Sequence, residues 1–182
     1  YSREYDGKYL YPIINELIKD YRGRIIFGGS SLIHDVYFPS EDWGVRDYDL
    51  WCFHSAYYEI IKRMDRNPYA KRVKNIVSDN APNYYGKIQI CGICEYAFKI
   101  FVETDSKPIK KLITLQFIDL GMVPSFDHAI SCIDLTFNTM IYDGVYLHYI
   151  KTTESEILEK KGDFIFKKAA SHIVCNCEVC CN

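Results

Sequence analysis

At 182 residues, with 48% hydrophobic and 25% charged residues, the chain has globular composition and enough length to bury a core without disulfide staples. A formal net charge of −2 excludes a uniformly basic nucleic-acid coat, although Lys71, Arg72 and Lys74 can form a local basic strip. No apolar run approaches about eighteen residues and no signal-peptide pattern is seen, so a soluble, cytoplasmic protein without a membrane partner is expected. The first residue is Tyr1 rather than Met, as expected of a fragment or a processed form.

Leu10, Ile13, Ile14, Leu17, Ile18 and Tyr21 recur at helical spacing with Pro12 in the first turn and Gly23 as a stop, which predicts an amphipathic helix. "RIIF" then reads as a short buried strand and "SSLIHDVYF" as a helix that starts at its serines. Residues 39–45 read as loop. "DYDLWCF" alternates as a strand, and "SAYYEIIKRMDR" is helical with Ile60, Ile61 and Met64 on one face. The middle is β-rich: "KRVKNIV", "GKIQI", "EYAFKIFVE" and "KKLITLQFIDL" are strand candidates. "CIDLTFNTMIY", the dipeptide Asp143-Gly144 and "VYLHYI" form the clearest hairpin signal, because Asp-Gly suits a tight primed turn. Thr153 with Glu156 three residues later is a capping box. No internal repeat or low-complexity linker interrupts the chain. The expected fold is therefore α+β, a single domain over 1–182 with a mixed sheet, helices packed against it, and a Cys-rich tail at 170–182.

Two features of "RIIFGGSSLIHDVYFPSEDWGVRDYDLWCF" carry chemistry. A strand running into Gly28, Gly29 and Ser30 and then a helix brings backbone amides close to anything above the helix N-terminus, where an anion is favoured. Ser30 or Ser31 can add a hydroxyl. Asp47 and Asp49 lie at i and i+2 of a strand, so both carboxylates project from one face. Like charges side by side are costly unless a cation neutralises them, and Mg²⁺ with oxygen ligands is the usual solution in phosphate chemistry. Arg46 next to the first acid can touch phosphate or pair with Glu41 or Asp42, the pairing being favoured.

The Gly-Gly-Ser turn followed by Asp-x-Asp, within a mixed sheet, resembles the nucleotidyltransferase superfamily with the DNA polymerase beta-type palm. That group includes poly(A) polymerases, tRNA nucleotidyltransferases and antibiotic nucleotidyltransferases. "CIDLTFN" resembles the segment carrying the third acid in poly(A) and terminal uridylyl transferases, and "QFI" with "IDLTFNTMIYDG" resembles nucleotidyltransferase-like proteins of large DNA viruses. The resemblance spans roughly residues 24 to 144. It implies a palm fold, Mg²⁺ held by Asp47, Asp49 and Asp134, and an NTP whose phosphates meet Gly28, Gly29 and Ser30. Asp119 in "QFIDL" remains a rival for the third acid. The implied activity is transfer of an NMP to a hydroxyl acceptor, an RNA 3′ end or a small molecule. The alternative is a catalytically silent palm that serves as a binding or assembly module.

Eight cysteines are many for such a chain, and four of them fall in the last eight residues. Cys91 and Cys94 in "CGIC", on an expected hairpin turn, with Cys177 and Cys180 from the tail would offer Zn²⁺ two close thiolate pairs, the usual layout of a structural site. A local set of His172, Cys175, Cys177 and Cys180 is the second option for zinc; the alternative to zinc is a thiol-rich tail with two buried cysteines, and disulfides come third because no secretion signal is seen. Cys52 and Cys132 read as core. The remaining histidines lie apart in sequence, and nothing supports Ser-His-Asp chemistry.

Overall fold

The computed structural model describes residues 1–44, 47–77, 91–121, 126 and 136–162; the side chains of residues 76, 77 and 137 are not described. The described chain is an α+β fold in which one eight-stranded mixed sheet carries helices against it. In chain order the elements are β1 (Ser2–Glu4), α1 (Pro12–Asp20), β2 (Ile25–Gly28), α2 (Ser30–Tyr37), β3 (Asp47–Cys52), α3 (His54–Arg66), β4 (Ala70–Val77), β5 (Gly92–Val102), β6 (Ile109–Asp119), a 3₁₀ turn (Thr136–Thr139), β7 (Met140–Tyr142), β8 (Tyr146–Tyr149) and α4 (Glu154–Leu158). Spatial order across the sheet is β1-β8-β7-β2-β3-β6-β5-β4. Among the described strands only β3 with β6 is a parallel pair; the other pairs are antiparallel.

Alternation along the strands sorts the residues onto two faces. Ile25, Phe27, Tyr48, Leu50, Cys52, Cys94, Tyr96, Phe98, Leu115, Phe117, Met140 and Tyr142 all belong to one core. Ile14, Leu17 and Ile18 of α1, Leu32 and Ile33 of α2, and Ile60 and Met64 of α3 pack into that same core. Three fully buried tyrosines need partners for their hydroxyls. Tyr48 donates to Asp35 Oδ2 at 3.0 Å, Tyr96 to Asp65 Oδ1 at 2.7 Å and Tyr142 to the Tyr5 carbonyl at 3.2 Å.

Most expected elements form where the sequence places them. Residues 143–145 join β7 and β8 in register Met140↔Tyr149; the Asp143 amide donates to the Tyr146 carbonyl at 3.2 Å, so Gly144, at φ +104°, and Val145 form the turn's centre. Thr153 Oγ1 accepts from the Glu156 amide at 3.2 Å, as a capping box requires. Two expectations are corrected. Thr136–Thr139, expected as strand, is a 3₁₀ turn closed by Thr139 Oγ1 on the Thr136 carbonyl at 2.6 Å. The "CGIC" segment is no hairpin turn: Gly92 pairs with Asp119 and Cys94 with Phe117, so it opens strand β5. "GKIQI" at 86–90 lies outside the described residues. No described helix is long and apolar enough to cross a membrane.

Leu50 is fully buried in central β3, whereas Leu112 on β6 is 58% exposed. Leu50→Ala is expected to cost about 3 kcal/mol of unfolding free energy, and Leu112→Ala under about 0.5 kcal/mol. Urea titrations of both variants check this.

Candidate functional site

Because Tyr48, Leu50 and Cys52 occupy the helix-side core, Asp47 and Asp49 must project from the opposite face of β3. Across that face the register aligns one row of residues: Gly28 on β2, Asp49 on β3, Gln116 on β6, Glu95 on β5 and Lys74 on β4. A second row, one pleat closer to the start of β3, holds Asp47, Thr114, Ala97 and Lys71. Deeper on this face Ile26, Trp51, Ile93 and Ile118 are buried, so the acids stand at the polar mouth of an apolar floor.

The glycine turn meets this row directly. Gly29 caps α2 with φ +92° and ψ −173°, a conformation that costs glycine nothing but strains any residue with a Cβ. A Cβ there would also sit 3.2 Å from Asp49 Oδ2, so the second carboxylate rests against the backbone of the turn. Ser31 Oγ donates to the Asp47 carbonyl at 2.7 Å and ties the start of α2 to the start of β3. Ser30, the first residue of α2, is exposed. The structure thus brings together Gly28, Gly29, Ser30, Asp47 and Asp49, all five expected from the sequence.

Glu95 and Gln116 are what the sequence reading missed. Gln116 Nε2 donates to Glu95 Oε1 at 2.8 Å, holding that carboxylate two strands from Asp49. The available signal was Glu95 at the start of "EYAFKIFVE", on its polar side. Removal from water, then Asp47 and Glu95, push the Asp49 carboxyl up to about 7. Asp47 is raised as well, by removal from water and by Glu95, with Lys74 opposing. Charge therefore accumulates here, and among the described residues Lys74 is the cation that opposes it.

The candidates for a third acid separate. Asp119 pairs with Cys52 on the helix side of the sheet, and it is 1% exposed. Its carboxylate is bound by His54 Nδ1 at 2.9 Å and the Gly121 amide at 2.8 Å. It faces away from Asp47 and Asp49 and is removed as a rival. Asp134 lies outside the described residues. So does Arg46; among the described residues Glu41 pairs with Lys160 at 2.7 Å and the Asp42 carboxylate accepts from the Gly44 amide at 2.8 Å.

Among the described residues no group of three His, Cys, Asp or Glu side chains converges on a metal position. The donor set still fits Mg²⁺, which commonly takes one or two protein carboxylates and completes its shell with phosphate and water oxygens. Asp47 and Asp49 supply those two. Separately, Asn138, in the turn that leads into β7 beside β2, holds a buried amide oxygen with no hydrogen-bond partner among the described residues. The zinc expectation fares differently. Cys94 is 1% exposed in the helix-side core, while Cys91 packs against Gly121, where a Cβ would meet its Sγ at 2.7 Å. The pair expected to face one ion is therefore split, and Cys177 and Cys180 lie outside the described residues. No protein-family model matches the chain, and neither a curated protein nor a solved structure does.

Gly29→Ala is expected to cost about 2 kcal/mol or more, from the positive φ and the clash with Asp49; chemical denaturation measures it. A raised carboxyl pKa means that the folded state holds its proton more tightly than the unfolded chain. In EDTA, stability should fall as pH rises from about 4 to about 8, and Asp49→Asn should flatten that slope and stabilise the protein at pH 8 by about 1–3 kcal/mol. Melting curves across pH decide it.

Proposed function

We propose that the protein transfers a nucleoside monophosphate from an NTP to a hydroxyl acceptor. The observation that carries this reading is the contact between the two sequence motifs: Asp49 lies against Gly29, so the phosphate-binding turn and the paired carboxylates form one site. Asp47 and Asp49 would hold Mg²⁺. When bound, Mg²⁺ supplies charge neutralisation on the triphosphate and eases deprotonation of the incoming hydroxyl.

The chain's own groups do the remaining work. Backbone amides at Gly29, Ser30 and Ser31, with the positive end of α2, orient the phosphates and offset their charge. The Ser30 hydroxyl is available to a phosphate oxygen. The Asn138 amide oxygen is suited to accept from a nucleotide hydroxyl. Ile26, Trp51 and Ile118 close the floor and keep water from the deep side of the site. The acceptor oxygen bonds to the α-phosphorus, the bond from that phosphorus to the bridging oxygen breaks, and pyrophosphate leaves with that oxygen. A third carboxylate completes the constellation: Asp134, on the resemblance, or Glu95, on the sheet register.

A second reading is favoured by one observation. The position beside Asp49 on the neighbouring parallel strand is Gln116, an amide with no charge to give a metal. On that reading the palm binds nucleotide and serves as a binding or assembly module without turnover.

Calorimetric titration of each NTP with Mg²⁺ should give metal-dependent binding to the wild type and a loss of at least ten-fold in affinity for Asp49→Asn. Pyrophosphate release with a supplied acceptor then separates the two readings. Release abolished by Asp47→Asn and Asp49→Asn supports transfer; metal-dependent binding without release supports the silent palm; no binding contradicts both.

A further inference from the structure

Strands β5 and β6 run eleven residues each, yet β3 pairs with β6 only from Thr114 onward. Their outer halves therefore project past the start of β3 as an arm, with β4 alongside β5 only as far as Phe98. The arm's face continuous with Asp47 carries an unusual set of side chains. Following the register outward from the Asp47 row, Lys99 stands opposite Leu112, and Phe101 opposite Lys110. Lys71 flanks Ala97 in the Asp47 row itself. The three lysines are exposed, Phe101 is 59% exposed and Leu112 58%. Among the described residues none of these lysines makes an ion pair.

Edge protection explains lysines on β4, an outermost strand. It reaches Lys99 as well, because β4 pairs with β5 only as far as Ala70↔Phe98 and leaves the end of β5 an edge. It does not explain Phe101, whose ring meets only the edge of Tyr69 at 6.1 Å among the described residues and stays 59% exposed between lysines. The basic strip suggested by the sequence is also rearranged here. Arg72 turns to the helix side and pairs with Asp65 of α3, so Lys71 and Lys74 are joined on this face by Lys99 and Lys110 instead. Positive charges interleaved with an exposed aromatic match a flexible polyanion whose bases can stack. A duplex, with its bases already stacked inside, has no use for Phe101.

We propose that this arm is a docking platform for single-stranded nucleic acid, which it guides toward Asp47. The inference rests on the transferase reading only for the strand's fate: docking itself requires neither nucleotide nor metal. Lys99 and Lys110 contact backbone phosphates, Phe101 stacks on a base, and Lys71 continues the track to the site. The strand presents a terminal hydroxyl at the polar mouth, which makes the acceptor a polynucleotide end rather than a small molecule.

The test is fluorescence anisotropy with a labelled fifteen-nucleotide oligo(U) or oligo(dT) in EDTA, at several salt concentrations. Wild type should bind, with affinity falling as salt rises. The double variant Lys99→Glu/Lys110→Glu should lose at least ten-fold, and the salt slope should become shallower by about 1.4. Phe101→Ala should lose roughly five-fold or more on the oligonucleotide, and nothing on an abasic strand of equal length. Asp49→Asn should bind the strand normally, and the lysine variant should retain metal-dependent NTP binding, so the two sites fail independently. All substituted side chains are exposed, and unchanged melting temperatures control for folding. Absent binding, equal binding by the lysine variant, equal binding of the abasic strand by the wild type, or tighter binding of a duplex would each overturn the proposal. A preference between RNA and DNA decides which single strand the platform serves.

Discussion

The strict alternation of β3 governs the rest of the molecule. Tyr48, Leu50 and Cys52 are locked into the core that α1, α2 and α3 cover, and a slip of one residue would drive Asp47 and Asp49 into that core instead. Burying two unpaired carboxylates there is prohibitive. Register is thus fixed by packing on one face, and the position of the acids on the other follows from it. The same argument carries through β6 and β5, whose apolar residues Leu115, Phe117, Cys94 and Tyr96 hold Gln116 and Glu95 to the acid side.

The electrostatics of the acid face follow from that placement. Three carboxylates are spread over two rows, one of them half-sheltered against Gly29, with the positive end of α2 nearby. Asp47 and Glu95 oppose the ionisation of Asp49, and Glu95 that of Asp47. A divalent cation relieves this strain, and a triphosphate brings further oxygens to share it. The lysines on the same face lie mostly outward, along the arm, where they stay available to phosphates without quenching the acids. Among the described residues Lys74, across from Glu95, is the one that tempers Asp47.

Much of this was legible in the sequence because its signals are local. The 3.6-residue pattern of α1, the alternation of β5 and β6, the Asp-Gly turn and the Thr153 cap each depend on neighbours within a few residues. So do the glycine turn and the paired acids. What escaped was whatever depends on strands meeting across the sheet. Asp119 looked equivalent to any acid in an apolar strand until its pairing with Cys52 placed it on the helix side with His54. Glu95 became relevant only once Gln116 and Asp49 were aligned with it. Cys91 and Cys94 looked like a metal knuckle, but core packing claimed one of the two thiols.

The central claim is that Asp47 and Asp49 form one divalent-metal and triphosphate site with the Gly28–Ser30 turn. Its most direct test is a crystal grown with Mn²⁺ and a non-hydrolysable nucleoside triphosphate, with anomalous scattering collected at the manganese edge. The account predicts an anomalous peak within coordination distance of both carboxylates and phosphate oxygens against the amides that open α2. A triphosphate seated elsewhere, or a site without metal between the two acids at saturating Mn²⁺, would contradict it.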